Sequence, residues 1–205
     1  MKALMLKDAL VLKKQSLLFI ILIFVFSVMP SETFSGFGIM YAVLLSVTAI
    51  AYDEAAKWDA LAAMMPYSVK DIVLSKYLLS YIFIFLAVLL AFASKLIVAL
   101  VSRTPFAPGG IVLSLLPSAA VALIIAAIDY PLVFRFGSEK GRYIYLFATV
   151  IIAVFATSLL GGAADALPSF LGSAVFPAVL FAADAVCNII SIPLSVKLYI
   201  KHNRT

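Results

Sequence analysis

A chain of 205 residues that is 65% hydrophobic and only 12% charged, with a mean hydropathy of +1.19, is not a soluble globular domain, which carries about a quarter of its residues charged. Its formal net charge of +5 is spread over the ends of apolar runs, without the aromatic-interleaved basic patch of a nucleic-acid binder, so no nucleic acid is expected as a partner. A single cysteine, Cys187, and a single histidine, His202, exclude a disulfide framework and a zinc-ligand set.

In chain order, the opening M-K-A-L-M-L-K-D-A-L-V-L-K-K and the apolar run behind it have the outline of a signal peptide. Val28-Met29-Pro30-Ser31 lacks the small residues of a cleavage site, so a retained first span is expected. Crossing the hydrocarbon core takes about 20 mostly apolar residues, some of which charged flanks can extend. Six such helices are read at 15–31, 37–52, 76–102, 111–133, 143–161 and 170–196. Period-two alternation is missing, which argues against a β-barrel. All of the 15 basic residues except Lys95 and Arg103 fall on the side of the amino terminus. The inside-positive bias therefore puts both termini in the cytoplasm and requires an even number of crossings. The expected architecture is all-α, one integral membrane domain over 1–205, with a cytoplasmic amphipathic helix between the second and third spans.

That helix belongs to a charged island from Tyr52 to Lys76, which holds Asp53, Glu54, Lys57, Asp59, Lys70 and Asp71 and the sole tryptophan, Trp58. Alanine-rich sequence over 53–65 favours helix, and Trp58, Leu61, Ala62 and Met65 share one face by their spacing. Asp53 and Lys57, four apart, are spaced for an ion pair. Pro66 ends the helix, and Ser68 with Asp71 has the spacing of a capping box that starts the next span. A second inner loop, 134–142, places Arg135, Glu139, Lys140 and Arg142 around Gly137, suited to the residue beyond a helix end, and Ser138, suited to a cap. Asp129 stands ready for a structural ion pair with Arg135 or Arg142, and Lys95 for the headgroups or Asp165. In the sixth helix Asp184, Asn188, Ser191 and Ser195 form a polar stripe. Such a stripe either lines a substrate path or forms a hydrogen-bonded seam between helices.

Catalytic signatures are missing. No phosphate-cradling G-x-x-x-x-G-K-[ST] occurs. Asp53 and Asp165 suggest an aspartyl dyad only superficially, since the expected topology puts them on opposite sides of the membrane.

Asp53, Glu54, Lys57, Trp58, Pro66, Ser68, Lys70, Ile72, Val73, Lys76 and Tyr77, with the opening Lys7-Asp8 and the run from Pro131 to Arg142, carry a family likeness. The chain resembles the membrane permeases of type-2 ABC exporters, in particular the small six-helix branch similar to the phenol-soluble modulin exporter permease. Asp129-Tyr130 departs from that pattern. The resemblance implies a homodimer or heterodimer of permeases in the bacterial cytoplasmic membrane, exporting amphipathic or antimicrobial peptides. Separate ATPase subunits would supply the ATP and magnesium, so this chain would carry no catalytic residue, cofactor or metal. The segment 52–71 would be the coupling helix, docking through Asp53, Glu54, Lys57, Trp58, Asp59, Leu61, Met65, Pro66, Ser68 and Lys70. Arg135, Glu139, Lys140 and Arg142 would form a secondary contact, and Asp184, Asn188 and Ser191 the substrate path. The bland alternative for the island is a helix lying on membrane lipid with Trp58 at headgroup depth, although its acidic residues disfavour an anionic leaflet as sole partner. Other functional alternatives are a non-transporting immunity, sensor or scaffold subunit and, third, a secondary carrier, for which only Asp184 qualifies as a coupling-ion residue.

Overall fold

The computed structural model describes residues 2–28, 32–62, 64–102, 108–141, 143–144, 146–147, 150–151 and 175–202. Among these the regular structure is helical throughout: α1 (Lys2–Val28), α2 (Glu32–Ala55), α3 (Trp58–Ala62), α4 (Val69–Val101), α5 (Pro108–Phe136) and α6 (Val175–His202). Residues 138–141 are helical again after a break at Gly137. Among the described residues four helices are long and apolar enough to span a membrane, and α1 adds a fifth if its two halves count as one span. The expected helix at 143–161 lies largely outside the described residues.

The helices run further than the hydropathy pattern alone marks, because charged turns continue the spans. α4 starts at Val69, where Ser68 takes an extended conformation and its hydroxyl accepts the Asp71 amide at 3.1 Å. The Ser68 hydroxyl also donates to the Asp71 carboxylate at 2.7 Å, so the capping pair expected from sequence forms. α1 begins well before residue 15 and bends by 72° between Ala3–Lys13 and Gln15–Val28. On its first half Leu4, Asp8 and Leu12, four apart, are all buried, while Leu6 and Leu10 are exposed.

α2 forms the centre and packs against α1, α4 and α5; α5 in turn packs along α6. Ile39, Val43, Val47 and Ile50 make its buried stripe. Ala87 and Ala91 of α4 and Ala122 and Ala126 of α5 are buried, small residues of the kind that let membrane helices approach closely. Large apolar side chains such as Leu17, Phe85, Leu100 and Ile189 point outward. An apolar exterior of that kind is incompatible with water and matches lipid.

Two glycines are required by geometry. Gly137 has φ +87 and ends α5, its amide donating to the Val133 carbonyl at 2.9 Å. A Cβ on Gly141 would lie 2.3 Å from Val133 Cγ2, so the helix leaving Gly137 lies hard against the end of α5.

Candidate functional site: an ion-pair junction at the charged end of the bundle

Four side chains from three helices close a ring of alternating charge. Lys7 comes from the first half of α1, as does Asp8; Asp53 comes from the last turn of α2 and Lys76 from the first turns of α4. Asp53 Oδ1 accepts from Lys7 Nζ at 2.6 Å and its Oδ2 from Lys76 Nζ at 2.5 Å. Asp8 Oδ2 accepts from Lys76 at 2.7 Å, and its Oδ1 lies 3.0 Å from Lys7. Every carboxylate oxygen is used and the ring is neutral. Asp8 and Lys76 are nearly sealed, with side-chain exposures of 2% and 5%. Charges that deep are tolerated because each is matched on two sides.

The ring fixes the island from above. The Lys7 ammonium lies 4.0 Å from the centroid of the Trp58 ring, a cation–π contact. Trp58 itself is half-buried and packs on the core, and Ala62, one turn on, is buried. Beside the ring, a cavity of about 40 Å³ lies between Asp53, Trp58, Lys76, Phe134 and Tyr199, its lining more apolar than polar. Tyr130 packs on Tyr77 with ring centroids 4.5 Å apart and donates to the Lys76 carbonyl at 3.1 Å, so α5 is tied to the same junction.

A second tie joins the two charged loops. The Glu54 carboxylate accepts the Ser138 amide at 2.9 and 3.0 Å and the Ser138 hydroxyl at 2.6 Å. The carboxylate therefore sits at the start of the helix that follows Gly137, where positive dipole and unpaired amides favour an anion. This replaces the expected arrangement in which the Ser138 side chain would cap that helix.

The island departs from expectation in three respects. The helix is not continuous over 53–65: Asp53 and Glu54 close α2, and Lys57 takes a left-handed conformation at φ 51 that breaks the chain direction before the five-residue α3. Asp53 pairs with Lys7 and Lys76, not with Lys57, which is exposed. The four apolar residues do not share one face, since Trp58 and Ala62 turn inward while Leu61 and Met65 are exposed. What remains outside is an apolar knob of Leu61, Met64 and Met65, with Met64 at 85% exposure. Exposed Pro66, Ser68 and Lys70 flank it, and Arg135, Glu139 and Lys140 are exposed on the neighbouring loop. The side chain of Asp59, and Arg142 and Asp165, lie outside the described residues.

The polar stripe of α6 faces α4. Tyr77 bonds Ser191 at 2.5 Å and Ser195 at 2.8 Å, and Ser191 also donates to the Ala127 carbonyl of α5. One turn away Tyr81 donates to Asn188 Oδ1 at 2.5 Å, and Asn188 Nδ2 donates to Asp184 Oδ1 at 2.6 Å. Ser191 and Ser195 are buried in this seam, whereas Asp184 is partly exposed. Asp129 does not form the expected ion pair: its side chain is buried and neither oxygen has a hydrogen-bond partner. Lys95 reaches Ser114 Oγ at 3.5 Å.

Sequence reasoning singled out Asp53, Glu54 and Trp58 for a role at the surface. It marked Lys76 as the end of the charged island and Lys7 and Asp8 through the family likeness, none of them as the partners that hold the island. A charged pair framed by apolar residues, as in Leu6-Lys7-Asp8-Ala9-Leu10, was the available signal. No group of His, Cys, Asp and Glu suited to a metal ion occurs among the described residues.

A family model described as "ABC-2 family transporter protein" matches residues 3–200. Neither a curated protein nor a solved structure gives a significant match.

Proposed function

Because the chain belongs to the ABC-2 family of transporter proteins, a family of multi-pass membrane proteins that associate with ABC ATPases, we propose that it is the permease subunit of an ATP-driven exporter, coupled to separate ATPase chains through the segment 52–71. The observation that carries this reading is the knob of Leu61, Met64 and Met65, exposed between two spans and rimmed by lysines, beside a second charged loop held in place by Glu54. An apolar, methionine-rich centre within a polar rim is the anatomy of a protein interface, and rim charges set its orientation.

The junction explains how such a contact does work on the bundle. ATP binding draws the two ATPase chains together and displaces the docked segment. The ion-pair ring forces α1, α2 and α4 to follow as one body, because each carboxylate bridges two helices. The Glu54–Ser138 tie carries the same displacement to the second loop and the end of α5. This is a rigid-body relay of a soluble motor's movement into the membrane. Trp58 acts on the inner side of this relay, as a packed pivot under Lys7, and the outward contact falls to Leu61, Met64 and Met65. In this reading the charged end faces the cytoplasm, as the distribution of lysine and arginine requires, the chain sits in a bacterial cytoplasmic membrane, and two permeases, identical or similar, enclose the path. Amphipathic peptides are the cargo that suits the resemblance and an apolar bundle.

The test is retention of the ATPase. The chain purified from native membranes in mild detergent should bring its ATPase with it, and Met64→Asp should abolish this while the protein reaches the membrane at the normal level. Normal retention in Met64→Asp and Leu61→Asp would favour a subunit that neither docks a motor nor transports.

A further inference from the structure

The first half of α1 crosses the charged end of the bundle instead of continuing the span. Lys7 and Gln15 are about 12 Å apart along a helix, yet they bond adjacent residues of α2. Lys7 donates to Asp53 Oδ1 at 2.6 Å, and the Tyr52 hydroxyl donates to Gln15 Oε1 at 3.0 Å. Asp8 meets Lys76 at the same junction. A helix running beside α2 would have carried Gln15 about two turns further along it. The 72° bend between Ala3–Lys13 and Gln15–Val28 has the same meaning: the second half follows the spans, and the first lies near the plane of the membrane surface.

This crossing helix is apolar on two faces. Leu4, Asp8 and Leu12 are turned to the protein and buried. Leu6 and Leu10, each two residues from Asp8, fall on the opposite face and are 62% and 63% exposed. Water is a poor neighbour for such a face. The charge is one-sided as well, since residues 1–31 hold Lys2, Lys7, Lys13 and Lys14 against the single acid Asp8. Lys7 and Asp8 are taken up by the ring. The segment is left with only positive charge to present, and Lys13 is exposed. Leucines facing out of a helix in the membrane plane, flanked by lysines, match the boundary between acyl chains and headgroups of an anionic leaflet. The island at 52–71, with Asp53, Glu54, Asp59 and Asp71, lacks that match.

We propose that the first half of α1 is an anchor in the inner leaflet that selects anionic phospholipid, with Leu6 and Leu10 among the upper acyl chains and Lys13 at the phosphates. Only the choice of leaflet rests on the exporter reading, which turns the charged end to the cytoplasm. Lys7 and Asp8 leave this same helix for the ring, so the leaflet confines displacement of the joint to the plane of the membrane. The two surfaces at the charged end thus have different partners: lipid for the start of α1, protein for the island.

The test uses the full chain in nanodiscs, with Leu10→Trp as the reporter in a Trp58→Phe background, which leaves one tryptophan. Phospholipids brominated high on the acyl chain should quench it more than those brominated low, and acrylamide should quench it little. Brominated phosphatidylglycerol should act at least about fivefold better than brominated phosphatidylcholine, the preference that one lysine near an anionic surface confers. Lys13→Gln/Lys14→Gln should remove most of that preference and leave the reporter at the same depth. Should the Trp58→Phe chain fail to fold, a spin label on Leu10→Cys in a Cys187→Ser chain gives the same reading, from its collisions with oxygen and with a water-soluble nickel chelate in discs of either lipid. Quenching by acrylamide without quenching by lipid overturns the proposal, because the face then meets water. Quenching by neither overturns it too, and assigns the face to protein, a second copy included. Equal action of the two brominated lipids removes the anionic selectivity. Lipid contact is read on this chain alone, so failure here leaves ATPase retention untouched, and failure of retention leaves the anchor standing.

Discussion

The Lys76 ammonium lies 2.7 Å from Oδ2 of Asp8, 68 residues earlier in the chain, and the pair is buried. The contact pins the first turns of α4 to the first half of α1. With Lys7 and Asp53 completing the ring, three helices acquire one common joint at the charged end.

Breaking that joint from one side should be costly. Asp8→Asn leaves two ammoniums facing one carboxylate, and loss of one partner from a buried pair costs about 3–5 kcal/mol. The double variant Asp8→Asn/Lys76→Met should recover much of the loss, since no unmatched buried cation remains. Detergent-phase thermal unfolding of the two variants, run beside the wild type, gives the comparison. Additive losses would mean that the two residues are not energetically coupled.

The Glu54–Ser138 tie is more exposed and should matter less for stability than for coupling. Glu54→Gln should cost about 1 kcal/mol, below the usual range for a charge-assisted bond because the carboxylate is exposed to solvent. Stimulated ATP hydrolysis of the reconstituted complex should fall by a larger factor than ATPase retention does, because the tie carries displacement and does not form the contact.

Much of this was legible in the sequence, and the misses have physical causes. Four or five of the six expected spans, the Ser68 cap and the break at Gly137 follow from local pattern. The direction of Trp58 did not. Helical spacing alone put it on one face with Leu61 and Met65, but the left-handed Lys57 restarts the chain after α2, and Lys7 offers the ring an ammonium from across the bundle. Similarly, the i, i+4 relation of Asp53 and Lys57 is worth only a few tenths of a kcal/mol. It yields to two cations in a drier setting. Long-range ion pairs leave no local periodicity, which is why the pairing of Asp8 with Lys76 could not be read in advance.

Trp58 therefore belongs to the packing of the junction, and its removal should register in stability. Trp58→Ala removes a half-buried ring and the partner of the Lys7 ammonium, an expected loss of about 2–3 kcal/mol, below the range for fully buried aromatics. Wild-type stability in this variant would contradict the packing described.

Gly141→Ala should destabilise by about 1–3 kcal/mol through overpacking, since its Cβ would fall 2.3 Å from Val133 Cγ2. Adding Val133→Ala should relieve most of that strain. A Gly141→Ala protein with an unchanged unfolding temperature would show that the helix after Gly137 sits further from α5.

Asp129 is the reverse case, a buried side chain whose oxygens have no hydrogen-bond partner. Asp129→Ala should raise stability by about 1–2 kcal/mol, the cost of leaving a polar group unmatched. A fall in stability would reveal a partner that Asp129 holds.

The central claim is that an exposed apolar knob takes force from a motor and the ion-pair ring passes it on. It is tested most directly by ATP-driven uptake of a labelled amphipathic peptide into inverted vesicles bearing the chain and its ATPase. Met64→Asp should abolish uptake and release the ATPase, whereas Asp8→Asn/Lys76→Met should keep the ATPase bound and still lose most uptake. Full uptake by the Met64→Asp vesicles, with the ATPase bound as in wild type, would contradict the account.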